Sequence, residues 1–198
     1  MLNAARPAAV AAGNVETSSR VVDVVMGALV QAIPERMAAA SHGSMNNVAM
    51  GGEVDSEHWD YYETIGGGMG ASLQGNGISA VQTHMTNTLN TPIEVLEMST
   101  PLQLMEYAVY RGTGGVGKYA GGAGIVRSFK FLEKTTVTLL TERRSRSPWG
   151  IDGGGCGRPG RNILDGELLP AKCSLTVMAG QILSIETPGG GGAGVSQP

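Results

Sequence analysis

Apolar residues recur at three- and four-residue intervals near the start of the chain, which is the spacing of one face of a helix. The set comprises Val21, Val22, Val25, Leu29 and Ile33. Thr17 or Ser18 can cap the helix at its N-terminal end, and Pro34 ends it. The pattern predicts one long N-terminal helix, followed by a turn or short helix over 35–40.

Beyond residue 45 the pattern changes to short β-like runs separated by glycine. The predicted strands are Met45–Met50, Trp59–Ile65, Leu102–Arg111, Ile125–Leu132, Thr135–Thr141, Leu175–Ala179 and Ile182–Glu186. Apolar and polar residues alternate most clearly over 126–131 and 136–140, which predicts a hairpin closed by Glu133 and Lys134 with one solvent-facing side. We therefore expect an α+β fold, in which the helix precedes a mainly antiparallel β-sandwich or barrel-like region with Gly-rich loops.

Composition is consistent with one folded domain over 1–198. The chain has 41% hydrophobic and 16% charged residues, and its 31 glycines are about twice the usual share of ~7%. These glycines cluster between the predicted elements, where turns and tight packing are the favoured interpretation and an anion-binding nest is the alternative. The last ten residues, Gly189–Pro198, are expected to form a flexible tail unless a partner holds them.

Charge and cysteine usage narrow the class of protein. A net charge of −3 gives no general attraction to nucleic acid or to an anionic membrane. Cys156 and Cys173 lack the spacing of a metal site. The N-terminus does not resemble a signal peptide, and no apolar run approaches the ~20 residues of a membrane span. These features predict a cytoplasmic protein with free thiols.

Hydrogen-bonding side chains are concentrated in the segment His84–Glu94, which carries one imidazole, two carboxamides, three threonine hydroxyls and one carboxylate. Such groups are costly to bury without partners, so the segment is expected to line a polar site. His84 is the candidate general acid or base, because imidazole exchanges protons near neutrality. Asn87, Asn90 and Glu94 are candidates to orient a substrate amide or the histidine. The alternative is a structural role for each.

Two further groups of residues are candidate substrate contacts. Tyr62 belongs to an aromatic strand that runs into a glycine loop, where Gly67 and Gly68 would let the backbone approach a ligand closely. Arg143 and Arg144 belong to an arginine-rich stretch around Trp149 that suits a carboxylate or phosphate, or equally a protein interface. The glycine loops do not form a Walker A sequence, so they are weak indicators of nucleotide binding.

Metal binding within this chain is not indicated. The three histidines, His42, His58 and His84, are far apart in sequence and do not form an i, i+4 pair. An acidic run over 53–63 surrounds His58, but runs of this kind are usually solvated surfaces.

Several motifs together carry a resemblance to a known family. They are Tyr61–Ala71, Thr83–Glu94, Gly13–Ser18, Arg111–Gly115, Thr141–Arg144, Pro148–Gly150 and Thr187–Gly192. In this order they resemble the hydantoinase B/oxoprolinase family, which includes N-methylhydantoinase B subunits, 5-oxoprolinases, and subunits of acetone and acetophenone carboxylases. The chain resembles only the C-terminal part of such a B-type subunit.

The resemblance implies part of an ATP-dependent amidohydrolase that opens a cyclic amide or imide ring of the hydantoin or 5-oxoproline type. It places ATP on a partner A-type subunit and a divalent metal in the N-terminal part of the B-type subunit, so neither is expected on this chain. A ketone carboxylase subunit is one alternative. A catalytically silent interaction module is another, and exposed apolar surface could also support a homo-oligomer.

Overall fold

The computed structural model describes residue 5 and residues 13–196. It contains helices α1 (Ser18–Leu29) and α2 (Ile93–Ser99). The strands are β1 (Asn47–Val54), β2 (Glu57–Thr64), β3 (Leu102–Tyr110), β4 (Gly124–Phe131), β5 (Thr135–Leu140), β6 (Arg161–Leu164), β7 (Glu167–Leu169), β8 (Lys172–Val177) and β9 (Ile182–Glu186). A π-helical turn, Gly13–Thr17, precedes α1, and a 3-10 turn, Pro34–Arg36, follows it. Within these ranges, no helix has both the length and the apolar character of a membrane span.

The strands form two antiparallel sheets. One has the order β2-β1-β5-β8 and the other the order β3-β4-β9-β6-β7. They share one apolar core, to which the first sheet contributes Val48 and Val137 and the second contributes Phe129, Phe131 and Leu183. Each such side chain contributes about 1.5–3 kcal/mol when it leaves water. The prediction of an α+β fold with a mainly antiparallel sandwich is confirmed, and the sheets do not close into a barrel.

The local elements agree with the sequence pattern except at three places. The seven predicted strands are present, with boundaries moved by a few residues, but β6, β7 and α2 were not predicted. The predicted β4–β5 hairpin is wrong, because β4 pairs with β3 and β9 whereas β5 pairs with β1 and β8. Strand β5 does have one exposed side, but β4 is buried on both sides, including Arg127. Alternation could not reveal that difference.

Helix α1 is present, but its orientation is unusual. Its only buried residues are Ser19 and Asp23, whereas the valines and Leu29 of the apolar pattern lie at or near the surface. Thr17 occupies the N-cap position with a helical backbone and makes no side-chain cap hydrogen bond, and the Ser18 hydroxyl donates to the Val15 carbonyl. The helix therefore turns its polar side toward the body of the protein.

Glycine-rich segments pack backbone against backbone beside the sandwich, and residues 189–193 run through their centre. The amides of Gly190, Gly191 and Gly192 donate to the carbonyls of Gly122, Ala40 and Gly155 at 2.8–2.9 Å. As at the axis of collagen, only glycine fits at this separation. Residues 189–194 are buried, so this part of the predicted flexible tail is corrected to a packed segment. Residues 197 and 198 lie outside the described residues.

Candidate functional site

The structure brings His84 beside a buried aspartate of α1. The His84 Nε2 atom lies 3.4 Å from Oδ1 of Asp23. The other oxygen, Oδ2, accepts hydrogen bonds from Arg143 at 2.6 Å and from Arg20 at 2.8 Å. The Asp23 side chain is 2% exposed and that of His84 is 13% exposed. A buried carboxylate thus lies against the Nε2 edge of a partly accessible imidazole.

Local backbone geometry positions both partners. His84 has a φ of 58°, which is uncommon for a residue with a side chain and occurs mostly at turns and functional sites. The turn is secured by Thr86, whose hydroxyl donates to the Thr83 carbonyl at 2.8 Å. Gly43 has a φ of 56°, and a Cβ there would lie 2.5 Å from Oδ2 of Asp23. Glycine is therefore required beside the carboxylate.

Opposing effects determine the charge of this cluster. Burial raises the pKa of Asp23, but the nearby His84, the hydrogen bond from Arg143 and the positive charges of Arg143 and Arg20 outweigh it, so the pKa is lowered. Burial also lowers the pKa of Arg143. The hydrogen bond and ion pair with Asp23 raise it, but by less, so the pKa stays below its ordinary value. The arrangement is that of an ionised carboxylate which can stabilise a positive charge appearing on His84 during proton transfer.

His42 is a second, fully enclosed histidine next to this cluster. Burial and the nearby charges of His84 and two arginines lower its pKa to about 3, so it is neutral at physiological pH. Its Nε2 lies 3.2 Å from the Thr83 hydroxyl. A Cβ at Gly67 would lie 2.5 Å from Cβ of His42, so Gly67 leaves room for the ring. Gly68 packs in the same way against Gly122. Gly67 and Gly68, which were predicted to contact substrate, are therefore both buried among protein atoms.

The predicted Asn90 belongs to a different polar network. Its amide donates to Oε1 of Glu63 at 2.7 Å and to the Thr64 carbonyl at 2.8 Å, and its oxygen accepts from the Tyr107 hydroxyl. The other Glu63 oxygen lies 2.9 Å from Nε of Arg127, whose side chain is fully buried against the Tyr107 ring. Asn90 thereby links β2 of one sheet with β3 of the other.

The remaining candidates are dispersed. Asn87 and Glu94 are exposed, the latter in the first turn of α2. Tyr62 is largely exposed and its hydroxyl donates to Oδ1 of Asn47. Arg144 is partly buried and donates to Asn46 and Asn162 at 2.8 Å, and burial lowers its pKa to about 9. Of the nine predicted residues, only His84 and Arg143 meet in the Asp23 cluster.

Sequence reasoning missed Asp23 and His42. The signal for Asp23 was available, since a lone carboxylate in the run Val-Val-Asp-Val-Val is out of place on an apolar helix. His42 gave no comparable signal, because its importance comes from complete burial. Across residues 13–196 and residue 5, no group of three or more His, Cys, Asp or Glu side chains is placed to hold a metal ion.

An ionised aspartate beside a partly accessible histidine, on an α+β sandwich, is an arrangement that is chemically capable of proton transfer. Comparison with known protein families identifies the family of the chain. The Hydantoinase B/oxoprolinase family model matches residues 1–196, and the chain belongs to this family.

Relatives and a solved structure agree with this placement. An uncharacterized protein of Methanocaldococcus jannaschii is 46% identical over 198 residues, covering 98% of this chain and 34% of the relative. A 5-oxoprolinase of Dictyostelium discoideum is 41% identical over 199 residues, covering 98% of this chain and 15% of the relative. The crystal structure of an ATP-dependent caprolactamase from Pseudomonas jessenii matches with a TM-score of 0.72 at 27% identity, covering 85% of this chain and 32% of that chain. The chain thus spans between 15% and 34% of the length of these proteins.

Proposed function

We propose that this chain is part of an ATP-dependent amidohydrolase complex that opens a cyclic amide or imide ring of the hydantoin or 5-oxoproline type. The observation that carries the proposal is His84 held against buried Asp23 in a polar segment. Membership of the hydantoinase B/oxoprolinase family supports it, as do relatives named 5-oxoprolinase and ATP-dependent caprolactamase. The complex would include an A-type subunit and the N-terminal part of a B-type subunit.

The chemistry explains why such a complex consumes ATP. A lactam carbonyl is a poor electrophile because nitrogen donates electron density to it. Transfer of the terminal phosphoryl group of ATP to the amide oxygen makes the ring carbon electrophilic and provides phosphate as a leaving group. Water then adds to that carbon, and the ring nitrogen gains a proton as its bond to carbon breaks, which leaves an acyl phosphate. A second water releases the phosphate and leaves a carboxylate. Proton transfer by a positioned side chain contributes about 10²–10⁴-fold to such steps.

In this scheme His84 is the proton-transferring residue and Asp23 is a positioning residue. The carboxylate orients the imidazole and stabilises the imidazolium, while Arg143 and Arg20 keep the carboxylate ionised. ATP is assigned to the A-type subunit and the divalent metal to the N-terminal part of the B-type subunit. A cytoplasmic location is part of the proposal, and the two free cysteines support it.

The test is substrate-stimulated ATP hydrolysis by this chain combined with a cognate A-type subunit and the N-terminal part of a B-type subunit. His84→Ala is expected to lower turnover by about 10²–10⁴-fold without reducing recovery of the complex. The matched control is His58→Ala, at an 86% exposed histidine outside the cluster. Unchanged turnover in His84→Ala would show that this residue is not catalytic.

Asp23→Asn distinguishes positioning from a purely structural role. It is expected to lower kcat less than His84→Ala does and to leave KM nearly unchanged, because the imidazole loses the carboxylate that orients it while the substrate contacts remain. Complex recovery measured in parallel separates this effect from loss of folding. An unchanged kcat would remove Asp23 from the mechanism.

The same assay separates the alternative functions. Bicarbonate-dependent turnover of small ketones, without turnover of cyclic amides, would indicate the carboxylase branch. A complex that assembles but shows no substrate-coupled hydrolysis with either class would indicate a silent interaction module.

A further inference from the structure

Helix α1 presents an uninterrupted apolar surface to solvent. We call this the outer face; it comprises Val21, Val24, Val25, Ala28 and Leu29. Val24 is 70% exposed and Val25 is 52% exposed. These positions follow the i, i+3, i+4 spacing that normally points toward a core. The apolar spacing of α1 is therefore that of a helix packed against a protein core, but its outer face is exposed to solvent.

The body of the protein holds α1 mainly through polar groups on its other side. Asp23 pairs with Arg143, and the Arg20 guanidinium donates to the Gly43 carbonyl at 3.0 Å. On the apolar side, Gly27 lies close to the Trp149 ring, where an added Cβ would be 3.4 Å from a ring carbon. A helix of 12 residues is marginal in water by itself, and most helical stability comes from packing an apolar face. The outer face is thus where additional stabilisation is available.

The family comparison indicates what occupies this face. The chain spans 34% of the Methanocaldococcus jannaschii relative and 32% of the caprolactamase chain, so a B-type polypeptide carries about twice as much further chain. The outer face has no charged residue, which fits an apolar intramolecular type of interface rather than a charged, transient one. We propose that the outer face of α1 docks onto the part of a B-type fold that lies outside the matched third.

This inference deepens the proposed function and rests on it, since it names the surface by which the two parts of the B-type subunit join. Asp23 lies on the opposite side of the same helix. A partner seated on the outer face would restrain the helix whose Asp23 carboxylate already lies beside His84 and Arg143. Assembly of the subunit would then stabilise the proton-transfer site.

The experiment is co-expression of the full chain with the N-terminal part of the Methanocaldococcus jannaschii relative, followed by capture through a tag on this chain. The test variant is Val24→Asp with Val25→Asp. The matched control is Val95→Asp with Met98→Asp on α2, where the two side chains are 53% and 88% exposed. All positions are exposed, so circular dichroism should show both variants folded.

The expected result is capture by the wild-type chain and by the α2 control, with binding weakened about tenfold or more in the α1 variant, because a charge would enter an apolar interface. Equal capture by both variants, or no capture by the wild-type chain, would overturn the inference. A wild-type homodimer that only the α1 variant dissociates would also overturn it, since a second copy would then be the occupant.

The capture assay needs neither ATP nor a ring substrate, so it separates the two proposals. Substrate-coupled hydrolysis that survives in the α1 variant would refute the docking surface alone. A complex that forms through α1 but never couples hydrolysis to ring opening would refute the proposed function alone.

Discussion

The buried neutral His42 should make this protein lose stability between pH 7 and pH 5. Its pKa is lowered to about 3 in the folded chain, chiefly by burial and by the charges of His84, Arg144 and Arg143, against the opposing effect of Asp23. An unfolded chain returns the imidazole to its ordinary pKa of ~6.5. Below that pH the unfolded state binds a proton that the folded state does not, so the free energy of unfolding falls as pH falls.

The magnitude follows from these two pKa values. At pH 5 the folded imidazole remains neutral, while the unfolded one is almost fully protonated. The free energy of unfolding should therefore decrease by about 2 kcal/mol between pH 7 and pH 5 on account of His42 alone. The loss continues as pH falls toward the folded pKa. Glu16 acts in the opposite sense, because burial raises its pKa, so the comparison must isolate one histidine.

The assay is urea unfolding followed by tryptophan fluorescence at the two pH values. We expect His42→Gln, which removes the titrating group, to reduce the pH-dependent loss by about 2 kcal/mol relative to wild type. His58→Gln, at an exposed histidine, should leave the loss as it is in wild type. An equal pH-dependent loss in His42→Gln and wild type would refute the reasoning that His42 is buried without charge.

Two further changes test the packing of the fold. Gly190→Ala would put a Cβ 2.0 Å from the Met69 carbonyl oxygen and should lower the free energy of unfolding in urea by about 3 kcal/mol or more. In the control, Gly75→Ala, the space for the Cβ is open, and stability should change by less than about 0.5 kcal/mol. Similar losses in the two variants would contradict the close packing of the glycine segments. Arg127→Met should lower the free energy of unfolding by about 3–5 kcal/mol, because the Glu63 carboxylate stays buried without its partner. Adding Glu63→Gln to this variant should recover part of that loss. Additive losses would show that the two side chains do not interact.

Much of the local structure could be predicted from periodicity. The helix before Pro34 and seven strands follow directly from apolar spacing, because the pattern of one chain segment reports which of its sides meets the interior. Strands β6 and β7 have four and three residues, which is too short for alternation to be distinctive. The joining of β4 and β5 to different sheets depends on partners distant in sequence, which no local pattern contains.

The candidate site shows the same division. His84 could be selected from the sequence because an imidazole within a dense polar segment is chemically conspicuous. Its partner Asp23 lies 61 positions earlier in the numbering and was hidden by the assumption that α1 would bury its valines. Gly67 and Gly68 were predicted to contact a ligand. The sequence does not distinguish a glycine that makes room for a ligand from one that makes room for a protein side chain such as His42.

By itself the sequence determined the family, the α+β class, the existence of the main elements and the polar segment around His84, since each depends on neighbouring residues or on motif order. Only the tertiary structure decided which side of α1 faces inward, that residues 189–194 form the centre of a glycine-packed region, and that His84 meets Asp23 and Arg143. These are contacts between residues far apart along the chain. Their free energies arise from burial, charge and close packing in three dimensions, which the order of residues does not display.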